Sequence, residues 1–168
     1  VELRRAGFSA KDLHAEGKGF SASELKNAGF SAKQMRQASV PLDQLQPGDF
    51  TLHELVSAGF DASQLRVFGA SATELERCGF SASQLRSAGF PVAQLRSTFR
   101  TAELLQGGYG VAELREAGAN VKDMIHEVTV KELRLGGFSA EQLREAGCEV
   151  AELRKGGFTA KDMSSAGF

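Results

Sequence analysis

The stretch Phe80-Ser81-Ala82-Ser83-Gln84-Leu85-Arg86-Ser87-Ala88-Gly89-Phe90 decides the fold of the chain. Ser81 is a helix N-cap type: its hydroxyl can accept a backbone N–H that the first turn leaves free. Gln84, three places on, can reach back to the N–H of Ser81, which completes a capping box. Phe80 and Leu85 stand in the N′ and N4 relation of a hydrophobic staple. Gly89 supplies the left-handed residue that stops a helix, and the apolar Phe90 after it completes a Schellman-type end. The segment predicts a helix of roughly seven or eight residues, a two-residue turn, and the cap of the next helix.

The same unit runs through the whole chain. With Leu85 as the marker of its unit, the others are Leu3, Leu13, Leu25, Met35, Leu45, Leu55, Leu65, Leu75, Leu95, Leu105, Leu114, Met124, Leu133, Leu143, Leu153 and Met163. They follow one another at ten residues, with one step of twelve (Leu13 to Leu25) and two of nine (Leu105 to Leu114, Met124 to Leu133). Cap types recur four places before the marker, as at Ser21, Ser31, Thr51, Asp61, Asn120 and Thr159. The place just before the marker is Glu, Gln or Asp in every unit but that of Leu105, where Leu104 stands. Isolated helices need about 12–15 residues to be even marginal in water, so units this short must be held by packing on their neighbours. The expectation is an all-α solenoid, a superhelical array of about 16 short helices, one per ten residues, in which several units fold together.

A second reading starts from the alternation of Leu and Phe every five residues. A stretch such as Ala151-Glu152-Leu153-Arg154 resembles the pentapeptide-repeat family. That resemblance implies a square right-handed β-helix with a small inward residue two places before each central Leu or Phe. Ala28, Ala58 and Ala88 meet the requirement before Phe. Before the markers the place holds Lys11, Lys33, Asp43, His53, Lys122, Glu141 and Lys161, which a narrow interior excludes. The place three before the marker is apolar in every complete unit (Ala10, Leu42, Val92, Val121, Ala160), and apolar residues at steps of three share one face of a helix. The helical reading is preferred, with the β-helix as its alternative.

Composition narrows the functional classes. The formal net charge is −1 with both signs interspersed, which disfavours a nucleic-acid or acidic-membrane partner. No apolar run reaches the ~18 residues of a membrane span. Cys78 and Cys148 replace core residues seventy positions apart and read as free thiols, which favours a reducing, intracellular setting. Phe68 and Ala70 exchange the large and small residues of the unit. Pro41 and Pro91 take cap positions, and Pro47 shortens the last turn of its helix. The pattern is most disturbed over about residues 96–128, where an irregular segment is expected within one array spanning 1–168. Val1 begins inside a unit, and Ala166-Gly167-Phe168 stops at a unit boundary without a polar capping repeat. We therefore expect either a fragment of a longer array or ends covered by another chain, most simply head to tail as a filament.

Chemistry is sparse. His14, His53 and His126 fall in separate units, none with a second ligand type at metal spacing, and read as solvent-facing helix residues. Gly107-Gly108-Tyr109-Gly110 lacks the Lys-Ser/Thr of a phosphate loop and reads as a helix stop. The repeated acidic or amide position is capping rather than catalysis, so no enzyme, metal site or cofactor is expected. The feature with functional potential is the residue after the marker, which is Arg at Arg36, Arg66, Arg86, Arg96, Arg115, Arg134, Arg144 and Arg154. A ladder of guanidinium groups there could hold an acidic protein or a polyanion, although pairing within the array accounts for it more simply. The overall expectation is a non-catalytic scaffold that presents an extended surface to protein partners, with polyanion binding or self-assembly as alternatives. The inward face is testable by urea denaturation: Leu85→Ala should cost roughly 2–5 kcal/mol, whereas Ser83→Ala should change stability by less than about 0.5 kcal/mol. Equal effects would place the core on another face.

Overall fold

The computed structural model describes residues 2–15, 19–45 and 49–168, and the side chains of 4–14 in the first of these stretches. The side chain of Leu3, the shortening ascribed to Pro47, and part of the twelve-residue step between Leu13 and Leu25 lie outside the described residues. The protein is all-α: fifteen α-helices and two 3-10 helices, one element per repeat, with no strand among the described residues. Lys33, His53, Lys122, Glu141 and Lys161 are exposed, as a helix requires and a β-helix would not allow.

Most helices are six residues long, as in Ala22–Asn27, Ala82–Ser87 and Ala140–Glu145, shorter than the seven or eight expected. The reason lies at the C-terminal end, where the residue three after the marker already serves as C-cap and the next is left-handed. In the Leu25 repeat, Gly29 has φ +90°, its N–H donates to the Lys26 carbonyl at 2.7 Å, and the Phe30 N–H donates to the Leu25 carbonyl at 3.1 Å. Ser39 takes the left-handed place with φ +58° and is the non-glycine residue that does so among the described residues.

The start of each helix follows the capping box. The Ser21 hydroxyl accepts the Glu24 N–H at 3.3 Å while the Glu24 carboxylate accepts the Ser21 N–H at 2.8 Å. Where the cap lacks a suitable acceptor, as at Arg100 and Gly110, only the second bond forms, from the cap N–H to Glu103 and Glu113. Both repeats capped by proline have short elements: Pro41 precedes a 3-10 turn, Leu42–Gln44, and Pro91 a four-residue helix, Val92–Leu95. Asn120 bonds the Lys122 N–H, two places on, and its repeat also forms a 3-10 turn, Val121–Asp123.

One marker is corrected by the structure. Leu104, not Leu105, is the fully buried residue of its repeat, at 1% exposure. The nine-residue steps are therefore Leu95 to Leu104 and Met124 to Leu133, and Glu103 regains the acidic position that Leu104 had seemed to take. In both short repeats the left-handed residue is missing. The Phe99 N–H donates to the Leu95 carbonyl, and the Val128 N–H to that of Met124, each four places back instead of five.

By its contacts the chain divides into two compact halves, Val1–Phe80 and Ser81–Phe168. In the first, helix Ala10–Ala15 packs on Ala32–Gln37, and that helix on Leu52–Ser57. In the second, Ala82–Ser87 packs on Thr101–Gln106; Val92–Leu95 on Val111–Glu116; Val111–Glu116 on Val130–Leu135; Val130–Leu135 on Val150–Lys155; and Ala140–Glu145 on Ala160–Ser165. Each of these pairs is two repeats apart, so within each half the helices stack in two alternating columns. The markers fill the space between, and Leu25, Met35, Leu55, Leu65, Leu85, Leu114 and Leu133 are fully buried.

The closest approach in a column joins the residue three before one marker to the residue three after the marker two repeats on. A Cβ at Gly136 would lie 2.8 Å from Cβ of Val111, and one at Gly156 would lie 3.0 Å from Cβ of Val130. At these two pairs the valine of one helix leaves room only for glycine on the other. Gly136→Ala should cost about 1–3 kcal/mol through overpacking. Val111→Ala in the same chain should recover a large part of that loss, measured by denaturant midpoints in a double-mutant cycle. Purely additive effects would show that these two positions do not meet.

Candidate functional site: the arginine register and its interruptions

The arginine that follows many of the markers stands at the end of its helix, and in four repeats its side chain reaches along the column to the helix end two repeats further on. Arg4 Nη1 donates to the Gly29 carbonyl at 2.8 Å, Arg36 Nη1 to Ala58 at 3.3 Å, and Arg134 Nε to Gly156 at 2.8 Å. Arg96 bonds the Ala117 carbonyl in the same way. The carbonyls of a last helical turn have no partner within the helix and carry its negative end, so a cation there satisfies both. The guanidinium also covers the ring that follows: Arg36 lies 5.9 Å from the Phe60 centroid, Arg86 5.2 Å from Tyr109, Arg115 6.0 Å from Phe138 and Arg144 5.9 Å from Phe168. Lys26 plays the same part over Phe50 at 4.7 Å. Such exposed cation–π contacts are worth about 0.5–1 kcal/mol each.

This packing explains the glycine beyond its backbone angle. A Cβ at Gly59 would meet Arg36 Nη1 at 2.7 Å, and one at Gly108 would meet Arg86 Nη1 at 2.8 Å. Arg86 adds an ion pair with Glu113 at 3.6 Å, while Tyr109 donates its hydroxyl to the Phe90 carbonyl at 2.6 Å.

Within each half the arginines fall in two columns. In the second half, Arg96, Arg115, Arg134 and Arg154 follow one another down one column. In the other, Arg86 and Arg144 are separated by Leu105 and Ile125 in the same register. Arg66 belongs to the first half and, like most of the set, is exposed; Arg134 is half-buried. Arg154 is also exposed. A guanidinium has five donors, of which Arg36, Arg96 and Arg134 each give one to the helix end two repeats on.

That interruption is where sequence reasoning missed a feature. Leu105, Val111, Val128 and Leu135 line an open groove of about 550 Å³ that also carries Glu127 and Glu132. With the marker placed on Leu105, the replacement of an arginine by leucine was hidden. The signal was nonetheless present in Leu104, which seemed to break the acidic rule.

Elsewhere, His14 is half-buried and its Nδ1 lies 3.4 Å from the Phe20 carbonyl, while His53 and His126 are exposed. Cys148 is buried and Cys78 half-buried, both as thiols that burial pushes above their ordinary value. No group of three or more His, Cys, Asp or Glu side chains is placed to hold a metal among the described residues. No helix among them is long and apolar enough to cross a membrane.

Comparison with known proteins agrees with this geometry. The model of the decapeptide repeat region matches residues 1–62, 19–92, 59–127 and 127–168, and the chain belongs to that family. No curated protein and no solved structure matches it.

The capping carboxylates carry the clearest electrostatics. Backbone and side-chain hydrogen bonds from Ser21, Thr51, Ser71, Thr129 and Thr159 hold Glu24, Glu54, Glu74, Glu132 and Asp162 below their ordinary values. A carboxyl depressed in the folded state stabilises above its unfolded pKa, and that contribution is lost as pH falls through the folded one. Thermal midpoints should therefore hold steady down to about pH 5 and fall below roughly pH 4.5. Replacing Glu24, Glu54, Glu74 and Glu132 by Gln, the residue that already serves at Gln34, Gln64 and Gln84, should flatten the acid slope. An unchanged slope would place the acid-sensitive groups elsewhere.

Proposed function

We propose that this repeat scaffold presents its outward helix faces to a protein partner and carries no catalytic activity. The observation that supports this is a division of positions within the repeat. The marker, the residues three either side of it, the glycine and the aromatic are committed to packing, and the cap, its acidic partner and the arginine to helix ends. The exposed place two after the marker is free to vary: Asn27, Gln37, Ser57, Val67, Arg77, Glu116, Leu135 and Lys155 occupy it in turn. A constant frame with a variable outer residue is the arrangement by which stacked repeats form extended binding surfaces.

One observation favours polyanion binding as a second reading, namely the uninterrupted column Arg96, Arg115, Arg134 and Arg154. The near-neutral charge and the commitment of these groups to helix ends weigh against it. Self-assembly through the ends is a further form of the scaffold reading. The deciding experiment is affinity purification with the intact chain and with a variant in which Val67, Arg77, Glu116, Leu135 and Lys155 are all Ser. The scaffold reading expects the same protein to be retained by the first and lost by the second, with identical circular dichroism. Retention of nucleic acid, steeply salt-dependent and lost when Arg96, Arg115, Arg134 and Arg154 are Gln, would replace it with the second reading.

A further inference from the structure

The groove at residues 105–136 gathers three departures from the repeat that are far apart in sequence. Leu105 stands where the register has arginine, Glu127 where it has alanine or glycine, and Leu135 where the outer position is usually polar. All three line the same groove of about 550 Å³, whose wall continues through Val111 and Val128. Packing does not account for them together. Leu135 is 67% exposed, and so fills no space in the core. Glu127 is exposed and belongs to no capping box. The loss of arginine at 105 removes the cation that would otherwise cover this column, and no Lys or Arg is among the residues lining the groove. What results is a shallow apolar floor with two carboxylates on it, Glu127 and Glu132, of which Glu132 is held ionised by Thr129.

We infer that this groove is the site where the scaffold takes hold of its partner, and that it receives a short segment of another protein presenting a bulky aliphatic or aromatic side chain with a Lys or Arg within two residues of it. The inference rests on the scaffold reading above and gives it a location. Apolar side chains of the segment would cover Leu105, Val128 and Leu135, and its cation would lie against Glu127 and Glu132. Complementary charge fixes the register of a docked segment, and desolvation of an apolar floor supplies affinity.

The test is selection of random twelve-residue peptides displayed on phage against the intact 168-residue chain, followed by titration of the enriched sequences as synthetic peptides. The expected enrichment is a Leu, Ile or Phe beside Lys or Arg, with binding weakened at least tenfold by Leu135→Ser and by Glu127→Gln and unchanged by Ser63→Ala, an exposed site in the first half that belongs neither to the groove nor to the outer register. Glu127→Lys should shift the selection toward acidic peptides. Circular dichroism of each variant separates loss of the groove from loss of the fold, and Leu135 and Glu127 are exposed enough for both variants to fold. Enriched peptides whose binding survives Leu135→Ser and Glu127→Gln would overturn the groove while leaving the scaffold reading in place. Enrichment of acidic peptides by the unaltered chain, or of none, would overturn it as well.

Discussion

The bond on which the fold depends is the one accepted by the marker's own carbonyl from the first residue of the following repeat. It runs from Phe30 to Leu25, Val40 to Met35, Tyr109 to Leu104 and Phe158 to Leu153 at 3.0–3.1 Å, and from Ala119 to Leu114 at 2.8 Å. One residue type thus buries its side chain in the core and fixes with its backbone where the next helix begins. The nine-residue repeats show which part of the motif is indispensable. Phe99 and Val128 keep the bond to Leu95 and Met124 although the left-handed glycine has gone. Repeat length can change by one residue, but the closure of the turn cannot be given up, because a buried carbonyl without a partner costs free energy comparable to a lost hydrogen bond.

Because neighbours in space are two repeats apart, each repeat is tied to two others that are not next to it in sequence. The arginine is the agent of this longer connection. It leaves one helix end and completes another more than twenty residues on, as Arg36 does at Ala58 and Arg134 at Gly156. Six-residue helices gain little from propensity, so cooperativity must come from such ties and from the close fits of Val111 with Gly136 and Val130 with Gly156. A basic residue that forms a ladder in sequence thus also ties one helix to another two repeats away.

Much of this was legible from residues alone, because capping boxes, staples and glycine stops are local signals that act within one repeat. Ser81, Gln84, Leu85, Gly89 and Phe90 each do in space what their spacing implies. What was not legible was anything depending on the second column. No local signal says that Arg86 meets Tyr109 instead of a residue of the adjoining repeat, and a strict period offers no way to tell the next repeat from the one after. The misplacement of the marker at Leu105 has the same root. Two adjacent leucines satisfy a hydrophobic period equally well, and only burial distinguishes Leu104 from its neighbour. The shift of one residue concealed both Glu103 as an ordinary capping partner and Leu105 as an exceptional replacement for arginine.

In an array, function is best sought where the repeat departs from itself without structural return. The exchange at Phe68 and Ala70 keeps volume, and the glycines at 136 and 156 answer the valines opposite, so those departures are explained by packing. Leu105, Glu127 and Leu135 line one groove whose lining holds no Lys or Arg, and an exposed leucine beside an exposed carboxylate gains little stability for the half that contains them. A frame that repeats its own chemistry so faithfully makes each such departure informative, and three of them meeting in one groove are what the proposed docking segment would answer.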